Sequence, residues 1–91
     1  MIRVLVCDDH LIVRQGIKQI LADAGDIELA GEAASGPQAL QLVRQSLPAG
    51  GGPPGIDVVL MDIAMPQRDG LDVLRQLKVE FPKLPELMLS T

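Results

Sequence analysis

Ile2-Arg3-Val4-Leu5-Val6-Cys7-Asp8-Asp9 and Asp57-Val58-Val59-Leu60-Met61-Asp62 share one plan, a short apolar, largely β-branched run that stops on acid. Such runs, apolar on both faces, read as strands of a parallel sheet buried under helices on either side. Ile27-Glu28-Leu29-Ala30-Gly31-Glu32-Ala33 differs. Strict alternation puts Glu28 and Glu32 on one face, opposite Ile27, Leu29, Gly31 and Ala33, as in an edge strand with one wet face. Leu87-Met88-Leu89, before Ser90-Thr91, is again apolar on both faces and reads as an interior strand lacking a neighbour.

Between the strands the period becomes helical. Val13, Ile17, Ile20, Leu21 and Ala24 make one apolar stripe over roughly residues 11 to 24, and Gly25 stops that helix. Ser35-Gly36-Pro37-Gln38 has the form of a capping box with proline in the first turn, and Ala39, Leu40, Val43 and Leu47 follow as a buried stripe. Asp69-Gly70-Leu71-Asp72 opens a third helix with stripe Leu71, Leu74, Leu77 and Phe81, which Pro82 closes. The order β-α-β-α-β-α-β predicts a parallel α/β sheet with right-handed crossovers. Pro48–Gly55 holds four Gly, three Pro and one Ala. Neither the 47 residues before it nor the 36 after it could close a core alone, so it reads as a flexible loop inside one domain spanning 1–91.

Ninety-one residues allow one core, and 47% apolar with 22% charged residues suits a folded globular chain. A net charge of -4 without a Lys/Arg stripe argues against nucleic-acid binding by this segment. The lone aromatic, Phe81, gives no stacking platform for single strands. No apolar run approaches a membrane span and the N-terminus is not a signal peptide, so a cytoplasmic location is expected. Cys7, the single cysteine, allows no internal disulfide and reads as a small buried apolar residue.

In open parallel sheets, ligands bind beyond the carboxyl ends of the strands, where strand order reverses. Asp8, Asp9 and Asp62 all lie on that edge. Asp57, five residues before Asp62 and about 16 Å away at ~3.3 Å per residue, belongs to the opposite edge. If the first and third strands are neighbours, three carboxylates converge, and their repulsion calls for a cation. Oxygen donors without paired His or Cys suit Mg²⁺, or Mn²⁺, rather than zinc. An uncompensated acidic surface patch is the alternative. His10 invites a proton-transfer reading, but at a loop-to-helix junction without a paired nucleophile it reads as a solvated or capping residue.

Val6-Cys7-Asp8-Asp9-His10, Leu60-Met61-Asp62-Ile63-Ala64-Met65-Pro66-Gln67-Arg68-Asp69-Gly70 and Leu87-Met88-Leu89-Ser90 together resemble, in order and spacing, bacterial response-regulator receiver domains. Asp8-Asp9-His10 with Arg14-Gln15-Gly16 and Gly31-Glu32-Ala33 is similar to the NarL/FixJ-like subclass, whose receivers precede a LuxR-type helix-turn-helix. The resemblance implies a flavodoxin-like three-layer sandwich of strand order 2-1-3-4. It implies Asp62 as acceptor of a phosphoryl group from a sensor histidine kinase, Mg²⁺ held by Asp8, Asp9, Asp62 and the carbonyl of Ala64, and Ser90 as hydrogen-bond donor to the phosphoryl group. As a plain residue, Ser90 is a strand-end hydroxyl. Pro66 stiffens the loop after the acceptor, and Asp69 caps the next helix.

Two departures stand out. Leu11 replaces the family's usual proline, and the chain stops before the family's fifth strand with its Lys, and before the flanking helices. Lys18, Lys78 and Lys83 sit elsewhere, so slow or missing phosphorylation is expected even where Mg²⁺ binds, as losing one preorganised donor commonly costs about 10²-fold. An incomplete receiver also leaves an apolar sheet face bare, which predicts a homodimer or swapped oligomer, with DNA contacted only through an output domain outside this chain. Alternatives are a Mg²⁺-dependent phosphohydrolase of haloacid-dehalogenase type, disfavoured because it wants Asp-x-Asp after the first strand, and an inactive interaction fragment.

Overall fold

The computed structural model describes residues 1–62 and 69–89. Its elements are β1 (Ile2–Cys7), α1 (Leu11–Ala24), β2 (Ile27–Ala33), α2 (Gly36–Gln45), β3 (Val58–Asp62), α3 (Asp69–Glu80) and β4 (Glu86–Leu89). All strand pairs are parallel and the order is β2-β1-β3-β4, as the βα alternation and the family resemblance imply.

Local chemistry fixes the helix ends. Gly25 follows α1 at φ 79°, a backbone setting that side chains resist. The Ser35 hydroxyl accepts from the Gln38 N–H at 3.3 Å, and the Gln38 side chain accepts from the Ala34 N–H at 2.9 Å, so the box closes one residue further out than expected. At the other end of α2 the Ser46 hydroxyl donates to the Val43 carbonyl at 2.6 Å and the chain turns away. Leu47 therefore leaves the helix and is exposed, where the stripe placed it inside.

One face of the sheet packs Leu5, Cys7, Val59 and Met61 against α2 and α3 through Val43, Val73 and Leu77. Each fully buried Leu or Val there contributes about 1.5–3 kcal/mol over its exposed state. The other face packs Val4 and Val6 with Leu21 of α1, flanked by half-buried Ile17, Val58 and Leu60.

The edge strand β2 corrects the simple alternation. Val4 pairs with Leu29 while Leu5 pairs with Gly31, so Ala30 is an inserted residue and the strand carries a bulge. Before it, Ile27 and Leu29 face α1; after it, Ala33 faces α2. Glu28 and Glu32 consequently lie on opposite faces. Glu28 meets Arg3 at 3.9 Å, whereas Glu32 meets Lys18 at 3.0 Å and Arg14 at 3.5 Å, both on α1. α1 packs mainly on β2, with Leu21 its buried residue, while Ile20 stays 70% exposed.

Beyond α1 the same sheet face is open among the described residues. Leu87, in register with Leu60, is 55% exposed.

Candidate functional site: a carboxylate cluster at the carboxyl edge

Because β1 and β3 are parallel neighbours with Cys7 opposite Met61, Asp8 and Asp62 leave the sheet side by side. β1 is also where the chain reverses direction across the sheet, to β2 on one side and β3 on the other. Asp8 is tied down at its backbone, its N–H donating to the Ala33 carbonyl at 3.0 Å and its carbonyl accepting from Arg14 Nη1 at 2.8 Å. Its carboxylate Oδ1 accepts from the His10 N–H at 2.8 Å, a short Asx-type turn that starts α1.

Asp8 and Asp62 are 0% and 1% exposed. Buried carboxylates at close range repel one another strongly unless a positive charge joins them. Asp9 is the more open member. Ligand atoms of Asp8, Asp9, His10 and Asp62 all fall within 4.8 Å of one another. Asp8 Oδ2 is buried without a hydrogen-bond partner, and an orphaned anionic oxygen in an oxygen-rich cluster fits a hard divalent cation. Ala64, Met65, Pro66 and Ser90 lie outside the described residues, and so does the loop that would present them.

His10 is the residue that sequence reasoning undervalued. It occupies the N-cap position of α1, yet its side chain makes no capping hydrogen bond. Instead Nδ1 lies 2.9 Å from Asp9 Oδ1, 3.2 Å from Asp8 Oδ1 and 3.8 Å from Asp62 Oδ2. The available signal was adjacency to Asp8-Asp9; the turn that aims the ring is not visible in a residue string. Cys7, fully buried one residue before the cluster, behaves as the sequence suggests. Burial first, then the charges of Asp8 and Asp9, push its thiol up to about 12. It stays a neutral packing residue rather than a nucleophile.

Asp57 sits at the other edge, its Oδ2 accepting from the Arg3 N–H at 2.8 Å. An apolar groove of 510 Å³ also lies at that edge, between Pro53 and Pro54 of the Gly/Pro segment and Phe81, Pro82 and Pro85. It is well separated from the three strand-end acids and gathers no comparable set of ligating groups.

A parallel sheet of this order, with acids crowded at the ends of β1 and β3, is the architecture of a phosphorelay receiver. Residues 4–91 match the response regulator receiver domain, and the chain belongs to that family. Over 90 residues it is 38% identical to the response regulator protein VraR of Staphylococcus aureus, covering 99% of this chain and 39% of that protein. It is 34% identical over 89 residues to the uncharacterized transcriptional regulatory protein YhcZ of Bacillus subtilis, covering 98% of this chain and 38% of the relative. Among solved structures, the complex of the CheA3 P1 domain with CheY6 from R. sphaeroides contains a chain that superposes with TM-score 0.80 at 29% identity, over 98% of this chain and 63% of that one. The chain thus spans about two fifths of the curated relatives it matches. The haloacid-dehalogenase alternative gains no support from these likenesses. No helix among the described residues is long and apolar enough to cross a membrane.

Proposed function

We propose that this chain accepts a phosphoryl group on Asp62 from the phosphohistidine of a sensor histidine kinase. A carboxylate oxygen of Asp62 attacks phosphorus, the P–N bond breaks, and the imidazole leaves with its electron pair, giving an aspartyl phosphate. The observation that carries this reading is the meeting of Asp8, Asp9 and Asp62 at the ends of adjacent strands, two of them buried. Asp8, Asp9 and Asp62, with the Ala64 carbonyl, would hold Mg²⁺ or Mn²⁺. Such an ion supplies charge neutralisation for the acids and for the incoming phosphate oxygens. The chain's own contribution is positioning. The Asp8–His10 turn and the parallel register of β1 with β3 hold the acids before any ligand arrives, so little reorganisation opposes the transfer. Ser90 would donate a hydrogen bond to the phosphoryl group.

The kinase partner fits the likeness to the CheA3–CheY6 complex. A role in transcription regulation, in the cytoplasm and through a DNA-binding output domain, fits the likeness to VraR and YhcZ. Self-association through the open sheet face, as a homodimer or swapped oligomer, fits the exposure of Leu87. In this reading the module is a phosphoacceptor rather than an enzyme acting on a separate substrate, and Pro48–Gly55 is a flexible loop within it.

Treatment with acetyl phosphate and Mg²⁺ followed by intact-mass measurement tests the reading. A single phosphoryl adduct, dependent on Mg²⁺ and lost in Asp62→Asn, is expected. Steady phosphate release without an adduct would favour a hydrolase, and no change at all would leave an idle interaction fragment.

A further inference from the structure

We infer that His10 is itself a metal ligand through Nδ1, so that the cluster takes borderline first-row dications such as Co²⁺ and Zn²⁺ through mixed imidazole and carboxylate donors. The inference rests on the reading that Asp8, Asp9 and Asp62 share one divalent ion. Three observations carry it further. The ring faces all three carboxylates rather than one, at 2.9, 3.2 and 3.8 Å from Asp9, Asp8 and Asp62 oxygens. Donors about 2.1 Å from a common ion stand about 3–4 Å apart, so these separations allow ligation of one centre, while without an ion the 2.9 and 3.2 Å contacts to Asp9 and Asp8 are ion-pair and hydrogen-bond distances. Asp8, a member of the cluster whose side chain is fully buried, has an Oδ2 with no hydrogen-bond partner.

The backbone explains why the ring is available. Asp8 Oδ1 accepts from the His10 N–H, which fixes the turn, and the N-cap position asks nothing of the imidazole because α1 has no side-chain cap. A nitrogen donor adds little for Mg²⁺, which prefers oxygen and retains its waters. It adds much for Co²⁺ and Zn²⁺, which bind imidazole readily. His10 therefore sets which ion the site prefers, while the carboxylates set that it binds one.

The test titrates the chain, His10→Ala and His10→Gln with Co²⁺, Zn²⁺ and Mg²⁺ separately by calorimetry, with proton NMR of the Co²⁺ form. His10 is the single histidine, so a ligated ring gives one strongly shifted, solvent-exchangeable imidazole N–H resonance without ambiguity. The inference expects that resonance in the unmodified chain. It also expects a loss of about tenfold or more in Co²⁺ and Zn²⁺ affinity in both variants, larger than any accompanying change in Mg²⁺ affinity. Glutamine can still hydrogen-bond Asp9, so Co²⁺ affinity retained in His10→Gln overturns ligation in favour of a hydrogen bond. Mg²⁺ binding with Co²⁺ affinity unchanged in both variants and no shifted resonance overturns His10 alone. Failure of every ion to bind the unmodified chain removes the shared-ion reading as well.

Discussion

Asp8 shows how a functional residue can work against the fold that carries it. Its carboxylate is wholly buried beside that of Asp62, and one of its oxygens has no hydrogen-bond partner. Asp8→Asn keeps the oxygen that accepts from the His10 N–H while removing the charge. Without divalent ions the variant is expected to be more stable by about 1 kcal/mol, seen as a melting temperature raised by ~4–8 °C, with Mg²⁺ affinity lowered at least tenfold. Thermal unfolding and a Mg²⁺ titration on one sample check both halves. A melting temperature that falls would mean that Asp8 is held by compensating contacts. At this scale the sequence was informative where position alone decides: Asp8, Asp9 and Asp62 are strand-end acids, and strand ends are legible from apolar runs. The direction of the His10 ring was not legible, because it follows from a turn whose geometry is set by the Asp8 carboxylate.

Elements were legible to the extent that local signals act alone. Ser35, Pro37 and Gly25 mark helix ends through backbone chemistry, and the structure uses each of them. The bulge at Ala30 in β2 has one local signal, the isolated Gly31 beside it, which strict alternation overrode. It arises because β1 must present Val4 to α1 and Leu5 to α2 while β2 presents apolar residues to both. Gly31 lies where a Cβ would approach Leu5 Cδ1 at 3.3 Å and Leu42 Cδ1 at 3.6 Å. Gly31→Val should therefore cost about 1–3 kcal/mol by overpacking, measured by urea unfolding, whereas an unchanged midpoint would show that β2 shifts freely at the sheet edge. Between α2 and α3, Arg44 Nε donates to Glu80 Oε1 at 2.8 Å, a second contact joins Arg44 Nη2 to Oε2, and Gln76 donates to the same carboxylate at 2.5 Å. These hydrogen bonds, Arg44 first, hold the Glu80 carboxyl at about 2, below its ordinary 4.5. A lowered acid stabilises the fold above pH 4.5, and that contribution fades as pH falls toward 2. Arg44→Ala is expected to flatten stability over that window and to leave the slope above it unchanged, as stability measured against pH will read.

For the whole molecule, parallel pairing follows from the βα alternation and was legible in the residues, whereas the strand order was legible only through the resemblance to receiver domains. The division of the sheet into a covered and a partly open face was legible only in outline, because burial depends on which helix covers which strand. Leu87 on β4 shares a face with Leu60 and remains more than half exposed. Light scattering of this 91-residue chain should show mass rising with concentration, and Leu87→Lys should suppress the rise. A constant monomer mass at high concentration would contradict self-association through this face. The claim on which the rest depends is that three strand-end carboxylates enclose one divalent ion. Anomalous diffraction from crystals soaked in Mn²⁺ tests it most directly. The account predicts one strong manganese peak within coordination distance of oxygens from Asp8, Asp9 and Asp62, and a well-diffracting crystal whose manganese lies elsewhere, with those acids bare, would contradict it.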